Sequence, residues 1–388
     1  MDCTVGRRPS DRKARILDAA AALFAQRGYH NVSMAEIAAL TGITASALYR
    51  HFRGKQDLLL RVVLGGVEFG VALIRETDDL DAYLAAMPAV CARMGPVAVL
   101  WQREARHLAD DQRAVLCSAL EASEVQLMAM LCRARPSLPD VDAELIAWAL
   151  LSVYGSSSWR SRAVSRRRFS ELLTAVGHAV AWSELGEATA EVDSAARGPA
   201  QPRPAASRRE QLLVEAIALF DRHGYQSVGV DDIGAAVGIA GPSVYNHFAS
   251  KTDLLVVAAH RGVERMQAGV DRAVCSGAPP EQTVELLLRT HIDFALRDSR
   301  LIGVLLSDID QLPDPERRAV AQADRGVLNT WIGALQATDP GLSAAEAKIR
   351  ARSAMGLVNN LVRTPATRRH PDLANRLVAI GAAVLRAR

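Results

Sequence analysis

Apolar residues recur three to four positions apart along most of the chain, most clearly in 12–27, 56–74, 142–157 and 168–185. That spacing lines one face of an α-helix, and no run alternates with the period of two that a half-buried strand requires. The pattern predicts an all-α fold, and it also repeats. Residues 12–68 align without a gap to 208–264 at a constant offset of 196, with 23 identities in 57 positions. Leu23, Phe24, Gly28 and Tyr29 match Leu219, Phe220, Gly224 and Tyr225. Tyr49, His51, Phe52 and Lys55 match Tyr245, His247, Phe248 and Lys251. A fainter match at an offset of 204 joins Leu108, Asp110 and Arg113 to Leu312, Asp314 and Arg317, and Gly177 and Val180 to Gly381 and Val384. The eight-residue step fits an insertion around 276–280. Each half is then a complete copy of one domain. The Pro- and Ala-rich stretch 195–205 reads as a linker. The expected units are headpieces at 10–57 and 206–253, followed by helical bodies at 58–194 and 254–388.

Composition narrows the class. With 49% hydrophobic and 23% charged residues, the chain has the profile of a folded globular protein. No run of eighteen uncharged apolar residues suggests a membrane span, and the polar N-terminus lacks a signal core. A cytoplasmic location with no membrane partner is expected. Cys3, Cys91, Cys117, Cys132 and Cys275 form no CxxC pair and read as buried or idle thiols. With no Gly-rich phosphate loop, metal spacing or nucleophile motif, neither an enzyme nor a cofactor is expected.

The repeated segment carries the informative motif. Ile16, Leu17, Ala20, Leu23 and Phe24 mark the inner face of a helix that stops at Gly28. Ser33 with Glu36 forms a capping box opening a second helix over 34–41, which ends at Gly42-Ile43. Thr44 can cap a third helix over 45–52. Two short helices joined by a tight Gly-containing turn make a helix-turn-helix, whose second helix enters the DNA major groove. Candidate DNA-contact residues are Ser33, Thr44, Ala45, Ser46, Tyr49, Arg50, His51 and Lys55. In the second copy they are Gly241, Pro242, Ser243, Tyr245, Asn246, His247 and Lys251. Arg50 can present a bidentate fork to guanine, whereas Tyr49, His51 and Lys55 suit phosphate oxygens.

The run Ile37-Ala38, Gly42-Ile43, Leu48-Tyr49-Arg50-His51-Phe52, Lys55-Gln56-Asp57-Leu58-Leu59 resembles the DNA-binding domain of TetR/AcrR regulators. The second copy does so through Val244-Tyr245-Asn246-His247-Phe248 and Lys251-Thr252-Asp253-Leu254-Leu255. The resemblance implies two tandem TetR-like halves, each a three-helix headpiece followed by a helical ligand-binding and dimerisation bundle. It also implies a double-stranded DNA operator and a repressor released by a small hydrophobic ligand. Family members pair through their last two helices, here roughly 142–157 with 168–185 and 344–361 with 372–387. The halves are therefore expected to pair within one chain, with a homodimer as the alternative. A regulator without an inducer, its bodies serving only pairing, is the competing function.

The two readers differ. Between residues 7 and 61, ten basic side chains face four acidic ones, leaving +6; between 203 and 265, seven face seven, leaving zero. Phosphate contacts supply most non-specific affinity, so the first reader should dominate. Arg50 becomes Asn246, shifting the preferred base from guanine toward adenine. Candidate pocket residues are Trp101, His107, Met128 and Trp148 in the first half and His291, Phe294 and Trp331 in the second, with core packing the plainer reading. The recurrent Glu104/Asp308 and Arg113/Arg317 suggest surface or inter-helix ion pairs, and the arginines from Arg160 to Arg168 a solvated connection.

Overall fold

Gly28, Gly42, Gly224 and Gly238 all adopt positive φ, between 70° and 80°, and each ends a helix at the same place in its half. A side chain there would be strained, so these four residues fix where both headpieces turn. The computed structural model describes residues 9–77, 79–94, 97–156, 163–186 and 207–388; the linker 195–205, Arg160 and Arg162 lie outside these. Among the described residues the same helical series occurs twice and no strand occurs. The first half comprises α1 (Pro9–Arg27), α2 (Met34–Thr41), α3 (Ala45–Tyr49), α4 (Lys55–Glu76), α5 (Leu80–Met94), α6 (Val97–Glu104), α7 (Asp110–Ala134), α8 (Asp140–Gly155) and α9 (Arg166–Ala181). The second comprises α10 (Arg208–His223), α11 (Val230–Ala236), α12 (Gly241–Val244), α13 (Lys251–Cys275), α14 (Pro280–Arg297), α15 (Ser299–Ser307), α16 (Asp314–Thr338), α17 (Ala344–Leu361) and α18 (Leu373–Arg386).

Local chemistry accounts for the headpieces. The Ser33 backbone N–H donates to Glu36 at 2.7 Å and the Glu36 N–H donates to the Ser33 hydroxyl at 3.2 Å. This reciprocal cap opens α2. Its counterpart in α11 uses Gly229 and Asp232, so only the backbone half of the exchange survives. Ile16, Phe24, Ile37, Leu48, Phe52 and Leu58 bury fully and hold the three helices at a fixed angle. The core of the first headpiece extends to Leu100, Leu108 and Leu116 of its body but stays apart from the main core, whereas that of the second is continuous with it.

The halves meet along α8 and α9 against α17 and α18. Asn360 donates to the Ser152 carbonyl at 3.4 Å, and Gly356 lies against Ser156. Two ion pairs flank this crossing. Asp142 in the first turn of α8 pairs with Arg376 of α18, and Glu346 in the first turn of α17 accepts from Arg168 of α9 at 2.5 Å. Asp142 and Glu346 are equivalent positions of the repeat, so the two pairs obey an approximate two-fold. Arg166, Arg167 and Arg168 thus open α9 instead of forming a solvated connection, and Arg168 bridges the halves. Gly177 and Gly381 pack inside their own halves, against Tyr154 and Leu288. By length and hydropathy α7 passes as a possible membrane span. In the fold it packs between α4 and α8 and carries Glu121 and Glu124 mid-helix.

Candidate nucleic-acid interface and ligand cavity

On α3, Leu48 and the following Phe52 face inward while Ser46, Tyr49, Arg50 and His51 are exposed and Ala45 is half-buried. Thr44 accepts the Ala47 N–H at 3.2 Å, so its hydroxyl caps the helix, as that of exposed Ser33 caps α2. On and after α12, Pro242, Tyr245 and Asn246 are exposed, Ser243 and His247 half-buried, and Gly241 buried. Lys55 donates to the His30 carbonyl at 3.3 Å, with its ammonium over the Tyr29 ring. Lys251 donates to the Tyr225 and Val228 carbonyls, both at 2.9 Å, over the Tyr225 ring. Both lysines strap the headpiece together, and burial lowers both pKa values.

The charge difference has a structural counterpart. Asp231 lies against Gly241: a Cβ there would fall 1.8 Å from its carboxylate oxygen. The corresponding pair in the first half is Ala35 and Ala45, so at these positions the second headpiece holds an anion that the first lacks. Several of its cations are also engaged within the chain. Arg261 holds Glu210 through two bonds of 2.7 and 2.6 Å, Arg208 donates to the Val237 carbonyl and Arg209 stacks on Phe248. In the first headpiece Arg12, Lys13, Arg15, Arg50 and Arg53 are exposed.

Each headpiece is tethered to its body by a buried carboxylate. Glu104 accepts the Tyr29 N–H, and Asp308 accepts the Tyr225 N–H at 3.3 Å. These groups are not surface ion pairs with Arg113 and Arg317: both carboxylates are buried. Arg113 donates to the Leu108 carbonyl and Arg317 pairs with Asp314. Arg106 crosses between the halves, donating to Asp308 at 2.9 Å and to the Phe220 carbonyl of α10 at 3.0 Å; Arg103 reaches Asp310 at 3.0 Å. Burial raises the Asp308 pKa despite the Arg106 charge. His107 packs under the first headpiece: it stacks on Tyr29 with ring centroids 5.3 Å apart and lies 3.2 Å from His30. Burial, then the Arg106 charge, pushes its pKa down to about 3.

The bodies differ most in their interiors. A cavity of about 550 Å³ in the second is lined by Val263, Met266, His291, Phe294, Leu305, Asn359 and the Arg352–Asp324 ion pair. The equivalent space in the first is about 60 Å³. Trp101 replaces Leu305 and Tyr154 replaces Val358, while Gly155 replaces Asn359 and leaves room for the indole, whose Nε1 would be 2.9 Å from a Cβ there. His291 lies 3.1 Å from the Asn359 amide oxygen, and burial pushes its pKa down to about 4, which keeps it neutral. Of the other pocket candidates, Trp331 and Trp148 are buried in the core and Met128 packs against it. Single-sequence periodicity does not single out Asn359 or the Arg352–Asp324 pair; aligning the halves does, because their counterparts are Gly155, Trp148 and Leu120.

A family profile described as bacterial regulatory proteins, tetR family, matches residues 16–62 and 212–258. The chain is 29% identical over 162 residues to the HTH-type transcriptional activator FasR of Mycolicibacterium smegmatis, covering 42% of this chain and 71% of FasR. It is 32% identical over 120 residues to the HTH-type transcriptional repressor KstR2 of Rhodococcus jostii, covering 29% of this chain and 58% of that protein. A TetR-family regulator from Bordetella parapertussis superimposes with a TM-score of 0.41 at 20% identity, over 45% of this chain and 94% of its own.

Proposed function

The chain is a tandem TetR-family regulator, and from that premise we propose that its two halves act as an intrachain pseudo-dimer repressing transcription from an operator with unlike half-sites. Arg50 reads guanine in one half-site and Asn246 reads adenine in the other. A small, largely apolar ligand entering the second-half cavity releases the DNA.

The observation that carries this reading is the route through α15. Leu305 on α15 lines the 550 Å³ cavity. Asp308, just beyond its end, holds the second headpiece through the Tyr225 N–H and grips Arg106 of the first half. A ligand that displaces α15 therefore acts on the second headpiece and on the junction of the halves together. Charge supports pairing within the chain. Arg103 and Arg106 of one half meet Asp308 and Asp310 of the other, whereas two first halves or two second halves would oppose like charges. The filled first-half interior suits a regulator without an inducer; the open second-half cavity favours the induced reading.

Selecting bound duplexes from random DNA with the purified full chain tests the proposal. Two dissimilar half-sites about one helical turn apart are expected. A perfect palindrome would refute unlike reading, and a single half-site would mean that the second reader is idle.

A further inference from the structure

At the end of the second body remote from its headpiece, α14, α16, α17 and α18 enclose a cavity of about 440 Å³ that the reading above does not use. Its remoteness follows from α17: Arg363, just past the C-terminal end, bonds Asp221 of headpiece helix α10, whereas Arg350 near the N-terminal end lines this cavity. Arg350 is only 4% exposed. Its guanidinium makes no hydrogen bond among the described residues, its Nε is buried without a partner, and the nearest carboxylate oxygen, on Asp339, is 3.9 Å away. The rest of the wall sets an apolar strip of Val284, Leu288, Leu335 and Leu385 beside the carboxylates Glu281 and Glu285, and Arg386 is exposed at the rim.

The first half is an internal control. The position equivalent to Arg350 is Ile146, fully buried in the core. The position equivalent to Asp339 is Arg135, which donates to the Ala181 and Ser183 carbonyls. The fold therefore does not need a cation at this position, and a buried charge held only by a loose ion pair with Asp339 is destabilising. Burial pulls the Arg350 pKa down; Asp339 and Glu346 offset this in part, and Arg388 and Arg168 lower it further.

We propose that this cavity binds a small monocarboxylate with an apolar tail, its carboxylate accepting hydrogen bonds from Arg350 and its tail lying against Leu288, Leu335 and Leu385. The site is separate from the α15 cavity and stands whether or not the DNA reading is correct. Sodium octanoate is the probe, titrated calorimetrically into the full chain. Saturable binding at one site per chain is expected, with octanol at least ~10-fold weaker because its single neutral oxygen cannot form a bidentate ion pair with the guanidinium. Arg350→Ile, which copies the first half, should melt no lower than the native chain and weaken octanoate at least ~10-fold. Arg350→Met replaces it if the isoleucine does not fold. Absence of saturable binding, equal affinity for octanol, or unchanged octanoate affinity in the variant overturns the proposal, the last by placing the carboxylate elsewhere.

Discussion

Position 101 holds a tryptophan and its counterpart 305 a leucine, and around that exchange the two bodies part company. The first is filled by Trp101 and Tyr154 and keeps about 60 Å³ of free space; the second keeps about 550 Å³ lined by a neutral histidine and two amides, Asn359 and Asn360. The headpieces diverge in the opposite sense. The first exposes a set of cations around Arg50, while the second ties Arg208, Arg209 and Arg261 to its own residues and holds Asp231 beside α12. The first headpiece thus presents the more exposed cations, and the second body the more free space. Duplication within one chain permits this, because each copy needs only the packing residues that both retain. In a homodimer a change at either site would be imposed on both subunits.

The largest expected effect is at the junction. Arg106→Ala leaves Asp308 buried without its partner and should cost ~3–5 kcal/mol in chemical denaturation. Arg317→Ala, removing an exposed pair, should cost less than ~1 kcal/mol. Equal costs would dissolve the distinction between a junction arginine and a surface one. Next come the readers: Arg50→Ala should weaken operator binding by up to ~100-fold at fixed salt, and Asn246→Ala by no more than ~10-fold. Anisotropy titrations giving equal losses would make the readers equivalent.

Trp101→Leu, copying the second half, should open a cavity in the first body and cost ~2–3 kcal/mol. A loss below ~0.5 kcal/mol would mean that the indole is not filling the space. Acid should separate the halves more gently. His107 has a pKa lowered to about 3, so its stabilising effect is fully present above the unfolded value near 6.5 and is lost as pH falls below it. His107→Gln, matching Gln311, should therefore lose up to about 2 kcal/mol less than the native chain between pH 6.5 and 5. Identical acid profiles would remove His107 from the tether. The smallest effect is a gain. Asp231→Ala should tighten DNA binding a few-fold, and more at low salt than at high.

Local features of this fold were legible in the sequence. The Ser33–Glu36 box, the bounds of α2 and the stops at Gly28 and Gly42 depend on residues within four positions of one another. The sequence predicts a third helix reaching Phe52, but it ends at Tyr49, because residues 50–51 turn toward α4 and the Asp57 carboxylate accepts the Arg53 N–H. Pairing Glu104 with Arg113 failed because Glu104 is buried under the headpiece, a tertiary fact that helical spacing does not contain. Arg106 was invisible because its partner, Asp308, lies 202 positions away. Lysine straps and cavity volumes depend likewise on contacts between helices distant in sequence. The exchange of Ala35 and Ala45 for Asp231 and Gly241 was readable from the repeat, since a lost Cβ beside a gained carboxylate is a matched change.

Native mass measurement of the chain with its selected duplex tests most directly whether one chain is its own dimer. One 41.7 kDa chain per duplex, covering both half-sites, is expected. Two chains per duplex, with four headpieces engaged or two idle, would contradict it.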